Sequence, residues 1–233
     1  MARRDPDGDR GRPLRRRAAF RDPLPAMLVV CEGQVTEPQY FDGFRQTHGA
    51  NTVRVVVKSP GGDPRALVER AVALRAEAAA EARRARDANL AYDEVWCVFD
   101  VDEHARAHAA RQLAAQAAVH LAVSNPCFEL WLLLHLADHG AHVTAAQAGR
   151  LLRKHLPTYD KHLRFHDFVA GYPDAVRRAE SLGRRVADAG RTDGNPSTGV
   201  YRLTERIRQF GKEARLQDRL PAHPQGKSRR SVS

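Results

Sequence analysis

Long apolar runs are missing from this 233-residue sequence: no stretch approaches the roughly 18 consecutive apolar residues of a membrane-spanning helix. The first 25 residues are rich in Arg and Asp and contain no apolar segment of the kind a secretory signal needs, so no export signal is expected. Cysteine is scarce. Cys31, Cys97 and Cys127 show no paired metal-ligand spacing, which excludes a zinc ribbon or disulfide framework and points to buried, reduced thiols in a cytoplasmic protein. Lysine is scarcer than the net charge of +10 suggests, with 5 Lys against 33 Arg. No P-loop pattern and no Gly-rich nucleotide loop is present, which argues against a nucleotide-driven enzyme.

What is present begins with charge placement. Residues 1–25 carry eight Arg against four Asp, and residues 212–233 carry six basic residues against two acids. Each end is +4, which leaves +2 for residues 26–211. Both ends read as disordered basic tails, either solvated or adding salt-sensitive, sequence-blind affinity for nucleic acid. Between them, 42% apolar content supports a real core.

Apolar, β-favouring runs at about 27–31, 53–57, 94–99 and 120–123 read as strands, and Ala-, Arg- and Glu-rich stretches between them read as helices. The order β-α-β-α-β-α-β over residues 26–124 predicts an α/β core with a mainly parallel four-stranded sheet. Thr36 is expected to cap the first helix, and Asp63 followed by Pro64 the second. From about residue 125 the pattern becomes helical, with segments at about 126–136, 144–155, 173–189 and 200–211. This is expected to be a helical extension packed on the core.

Two of the strands end in acids: Met27-Leu28-Val29-Val30-Cys31 runs into Glu32-Gly33, and Val95-Trp96-Cys97-Val98-Phe99 runs into Asp100-Val101-Asp102. A carboxylate just past a parallel strand lies where open α/β sheets bind their ligands. Asp100 and Asp102 share a face if the chain stays extended. Three carboxylates gathered there repel one another unless a cation intervenes, and hard oxygen ligands favour Mg²⁺ or Mn²⁺. Each acid has a plainer reading alone: Glu32 as a turn acceptor, and Asp100 and Asp102 as a cap plus a surface acid.

Other residues are weighed the same way. Glu37 is either a second-shell or second-metal group or an acid favoured by a helix dipole. Glu103 and His104 read as a helix start. Glu129, on an otherwise apolar helix, must meet water, a cation or a donor. It is either a salt-bridge partner or a carboxylate reaching the metal, on the expectation that strand four ends beside strand one. Ser124 and Asn125 are candidates to cap that helix and contact phosphate, and Lys161 is a candidate phosphate contact. Tyr40 reads as a packing residue rather than a nucleophile, and His135, His139 and His142 form a weak zinc pattern.

The order strand-Glu-Gly, then strand-Asp-x-Asp two crossovers later, resembles the Toprim domain of topoisomerases, primases and overcoming-lysogenization-defect nucleases. More locally, Val30-Cys31-Glu32-Gly33-Gln34-Val35-Thr36-Glu37-Pro38-Gln39-Tyr40-Phe41, Phe99-Asp100-Val101-Asp102-Glu103-His104 and Ser124-Asn125-Pro126-Cys127-Phe128-Glu129-Leu130-Trp131-Leu132-Leu133-Leu134-His135 resemble signatures of the RloB family. Tyr159-Asp160-Lys161 and Asn195-Pro196-Ser197-Thr198 match weaker later motifs, so the resemblance spans about 26–211. It implies a bacterial, phage-defence-associated protein with a Toprim-type core, often encoded beside an AAA- or ABC-type ATPase. Glu32 would then be the general acid/base or a metal ligand, and Asp100 and Asp102 would hold the ion. Val101 stands where many relatives carry a basic residue, which removes one phosphate contact. The expectation is a metal-dependent nuclease acting on RNA, tRNA included, or DNA. A non-catalytic nucleic-acid- or ATPase-binding module and another metal-dependent phosphoryl-transfer enzyme are the alternatives.

Overall fold

The computed structural model describes residues 24–57, 63–101, 104–191 and 194–219. Of the tails expected to be disordered, 1–25 and 212–233, residues 1–23 and 220–233 fall outside them, and residues 212–219 are helical instead, as the continuation of the last helix. In chain order the elements are β1 (Met27–Cys31), α1 (Thr36–His48), β2 (Val53–Val57), α2 (Pro64–Ala85), β3 (Glu94–Asp100), α3 (His104–Gln116), β4 (His120–Asn125), α4 (Phe128–Leu136), α5 (Ala145–His155), α6 (His166–Val169), α7 (Tyr172–Asp188), β5 (Ser197–Thr198) and α8 (Val200–Arg219), with a 3-10 turn at Ala88–Leu90.

The sheet order is β2-β1-β3-β4-β5. The first four strands are parallel, and the fifth, absent from the sequence expectation, pairs antiparallel with β4. From β1 the chain steps one way to β2, then crosses back over β1 to β3. Right-handed crossovers therefore put α1 on one face and α2 and α3 on the other. Side-chain alternation shows the same division. Leu28, Val30, Val95, Cys97 and Phe99 pack with Leu67 and Val68 of α2 and Ala107 and Ala110 of α3. Met27, Val29, Cys31, Trp96 and Val98 pack with Tyr40, Phe41 and Phe44 of α1 and with α4, α7 and α8.

The sheet places β3 between β1 and β4, so β4 does not end beside β1 as the sequence reading expected. Helix α4 brings Glu129 back toward β1 instead. This helix is buried almost all round, with Phe128, Leu130, Trp131, Leu132, Leu133 and Leu134 in the interior. At ~1.5–3 kcal/mol for each large apolar side chain, it anchors the second half of the chain to the first.

Asp63 caps α2 as expected, accepting from the Arg65 N–H at 3.0 Å, with Pro64 at the first position. Thr36 does not cap α1: it is the first helical residue, and its hydroxyl is spent elsewhere. Helix α8 runs eight residues past its expected end at 211. The spacing of Leu203, Ile207, Phe210 and Ala214 carries its buried stripe through that point, and Arg206 ties it to Glu213 at 3.3 Å. Arg206 also reaches Glu94 at the amino end of β3, with Nε donating at 2.7 Å. All three cysteines are free and buried, and burial pushes the Cys97 thiol up to about 12.

Candidate active site at the carboxyl edge of the sheet

Strand order reverses between β1 and β3, and that switch point is where an open α/β sheet leaves a crevice. Glu32 and Asp100 end these two strands. The Glu32 N–H donates to the Val98 carbonyl at 3.0 Å, and Glu32 Oε2 accepts from the Asp100 N–H at 3.3 Å. The two acids are thus held beside each other by the ladder that joins the strands.

A cleft of about 320 Å³ opens over this point, lined by Glu32, Gly33, Thr36, Glu37, Asp100, Phe128, Glu129 and Lys161 among others. Four carboxylates and one ammonium share it. Glu37, in the first turn of α1, is buried, and its carboxylate lies directly over Gly33: a Cβ there would collide with its Oε2. Glycine is the residue that lets this acid fold down into the cleft. Burial raises the Glu37 carboxyl above its ordinary range, helped by Glu129 and Glu32 and opposed by its own N–H and that of Gly33.

Asp100 is partly exposed as a residue, but its Oδ1 is buried without a hydrogen-bond partner. Burial first, then the charges of Glu37, Glu129 and Glu32, hold its carboxyl well above the usual carboxylate range, against the pull of the Phe128 N–H at the start of α4. A buried orphan oxygen is costly unless something supplies a proton or a cation.

Glu129 is oriented rather than loose. Tyr159 donates its hydroxyl to Glu129 Oε1 at 3.2 Å, and Lys161 Nζ lies 3.9 Å from the same oxygen. Thr36 donates to the Lys161 carbonyl at 2.8 Å and sits 3.4 Å from the Tyr159 hydroxyl. Tyr159-Asp160-Lys161 is thereby strapped across the start of α1. The Lys161 side chain is 74% exposed at the lip, placed to meet an incoming anion.

Glu32, Glu37, Asp100, Glu129 and Lys161 are therefore brought together. Asp102 and Glu103 lie outside the described residues, as does the His104 side chain. Ser124 is not in the cleft: it is buried, with its hydroxyl 2.9 Å from that of Thr198. Asn125 lines a different cleft, and neither residue caps α4, whose cap position is Cys127. Tyr40 is buried in an aromatic cluster with Phe41, Phe44, Phe128 and Trp131. The zinc pattern fails at His135, which is buried with both nitrogens engaged: Nδ1 with the Trp131 carbonyl at 2.9 Å and Nε2 with the Tyr40 hydroxyl at 3.1 Å. Among the described residues, no group of three or more His, Cys, Asp or Glu side chains is arranged to hold a metal ion.

Sequence reasoning missed the part played by Tyr159 and by Gly33 as the bed of Glu37. The recurrence of Tyr159 beside Lys161 in a family-like motif was the available signal for the first. Nothing local signalled the second, because the Gly33–Glu37 contact depends on where α1 turns.

No curated protein and no solved structure matches the chain. The family model described as RloB-like protein matches residues 27–207, from the first residue of β1 into α8. That match covers most of the sequence and every element that builds the cleft, and the chain belongs to the RloB-like family.

Proposed function

We propose that the protein is a Toprim-type, metal-dependent nuclease that cleaves RNA or DNA phosphodiesters in bacterial anti-phage defence, gated by a partner ATPase. The observation that carries this reading is the pair Glu32 and Asp100 at the switch point of a parallel sheet, with Asp100 Oδ1 buried and unpartnered. The donor set fits a hard divalent cation: carboxylate oxygens, no thiolate, and like charges that repel without a counter-ion. Glu32 and Asp100 would hold Mg²⁺ or Mn²⁺, with Asp102 as the third carboxylate of the motif and Glu37 and Glu129 flanking. When bound, such an ion polarises a phosphoryl oxygen and stabilises the charge that develops on it.

The chain's own groups supply the rest. Lys161 attracts the phosphate at the lip of the cleft. Tyr159 fixes the carboxylate of Glu129, and the Asp100 N–H fixes that of Glu32, so neither pays ordering entropy when substrate arrives. If Asp100 and Asp102 hold the ion without it, Glu32 would instead be the carboxylate that exchanges a proton at the reacting oxygens.

The test is cleavage of total tRNA, single-stranded RNA and plasmid DNA by the purified protein in Mg²⁺, Mn²⁺ or chelator. Glu32→Gln and Asp100→Asn are each expected to reduce metal-dependent cutting at least ~100-fold. Equal cutting by both variants would overturn the assignment. A second reading, a non-catalytic binding module, is favoured by the absence among the described residues of a three-ligand metal arrangement. It prevails if no substrate is cut with the neighbouring ATPase present.

A further inference from the structure

Among the described residues, three that are not glycine have a positive φ: Arg86 at 54°, Ala118 at 50° and Lys161 at 81°. The first two finish helices. Arg86 caps α2, with its N–H donating back to the Arg83 carbonyl, and Ala118 follows α3, where the Val119 N–H closes on the Ala114 carbonyl at 2.9 Å. Left-handed residues are ordinary at helix ends. Lys161 has no such reason. It lies between α5 and α6, where glycine would adopt this backbone without steric cost. A long side chain held there is an outlier, and such residues persist where their surroundings over-determine them.

The surroundings of Lys161 do so. Three consecutive residues each have a backbone group taken by a side chain. The Lys161 carbonyl accepts from the Thr36 hydroxyl at 2.8 Å, the His162 N–H donates to Asp160 Oδ1 at 3.2 Å, and the Leu163 N–H donates to Gln39 Oε1 at 2.9 Å. The Gln39 amide is used twice, its Nε2 lying 3.2 Å from His162 Nδ1. Thr36 and Gln39 are three apart on α1 and share a face, while Glu37 between them turns into the acidic cleft. The start of one helix thus sets an acid inside the cleft and a cation at its lip. The contact between that cation and Glu129 is long, at 3.9 Å, and the lysine end of it is exposed. Such a pair contributes little to folding, so it does not account for a lysine where the backbone favours glycine.

We propose that Gln39 and Thr36 are positioning residues: they hold a strained turn that presents the Lys161 ammonium to a phosphate at the lip of the acidic cleft. The proposal rests on the reading of that cleft as the place where a nucleic-acid phosphodiester binds, and it adds how the cation that meets the phosphate is aimed. The lysine is kept against its backbone because its charge is used by the ligand and not by the fold.

The test is a double-mutant cycle in the full chain between Gln39→Leu and Lys161→Gly. It is read as the Kd of a fluorescein-labelled oligo-uridylate of about twelve nucleotides, by anisotropy in chelator across roughly 0.05–0.25 M salt, with the melting temperature taken for every variant. The basic chain ends are present in every arm and cancel in the comparison. Lys161→Gly relieves the turn and is expected to melt no lower than the wild type. It is nonetheless expected to raise Kd about fivefold and to lower the slope of log K against log salt by about 0.7, the value for one lost phosphate contact on a single strand. Gln39→Leu is expected to raise Kd about threefold where Lys161 is present and to leave it unchanged in the Lys161→Gly chain. Thr36→Val, which removes the bond to the Lys161 carbonyl with little change of shape, is expected to behave in the same way and takes the place of Gln39→Leu if that variant fails to fold. An unchanged Kd and slope in Lys161→Gly overturns the proposal. So does a loss from Gln39→Leu or Thr36→Val of equal size with and without Lys161, because it does not pass through that side chain. The readout needs no cleavage: a chain that shows the coupling and never cuts keeps the positioning and loses the nuclease. Cutting that depends on Glu32, with binding indifferent to Lys161, does the reverse.

Discussion

Helices α1 and α4 each turn two titratable side chains inward, and the two pairs meet opposite fates. Near the amino ends, Glu37 and Glu129 face a cleft they share with Glu32 and the orphan oxygen of Asp100. Further along the same helices, Tyr40 and His135 close on each other. The Trp131 carbonyl can only accept, so His135 Nδ1 carries the proton, and Nε2 accepts from the Tyr40 hydroxyl. The second pair is complete in itself and needs nothing from outside the protein. The first is a concentration of like charge, and among the described residues that line the cleft the cation is Lys161. Buried polarity therefore has two meanings in this molecule, and hydrogen-bond satisfaction tells them apart.

The contrast is sharpest in stability. His135→Ala opens a cavity and strands the Tyr40 hydroxyl, so a loss of ~3 kcal/mol is expected in denaturant unfolding. A change under ~1 kcal/mol would mean that the aromatic cluster collapses around the gap.

The pH response is next. Burial, with Arg178 nearby, lowers the His135 imidazole from 6.5 to about 4. The unfolded chain takes up its proton first, so this contribution is fully present above pH 6.5 and is lost as pH falls toward about 4, by at most about 3 kcal/mol. Glu37 and Asp100 act with the opposite sign when no cation is bound. Their raised carboxyls stabilise below the ordinary carboxylate range, and that contribution is lost as pH rises through their folded values. Imidazole NMR separates the two, with the His135 ring expected to remain neutral at pH 5.

The smallest effect breaks the symmetry in the other direction. Asp100→Asn removes a charge that burial and its neighbours disfavour, so in chelator it is expected to stabilise by ~1 kcal/mol. Thermal melts with and without Mg²⁺ check this: the ion is expected to raise the melting temperature of the wild type and leave that of the variant unchanged. Equal destabilisation by Asp100→Asn and His135→Ala would erase the distinction.

The strands, their parallel order and the adjacency of Glu32 and Asp100 were legible because each rests on local apolar runs and one topological rule. Less visible was anything that depends on two distant segments meeting. Strand β5 is two residues long, too short for any periodicity, and exists because Ser197 and Thr198 find Asn125 and Ser124 of β4. Thr36 looks like a cap because its type and position suit one, yet its hydroxyl is taken by the carbonyl of Lys161, 125 residues away. Ser124 looks like a phosphate contact for the same reason and is spent on Thr198. The cleft lined by Arg111, Arg191 and Arg202 draws them from α3, the end of α7 and α8, so no window of sequence contains it.

Gly33 has a consequence for how the acidic cleft is dissected. The group that crowds it is the far end of the flexible Glu37 side chain, not backbone. A methyl group there evicts a carboxylate without neutralising it, while every titratable atom of the chain stays in place by composition. Gly33→Ala is thus a change of address, where Glu37→Gln is a change of charge. Together they separate where the negative charge must stand from whether it must be present.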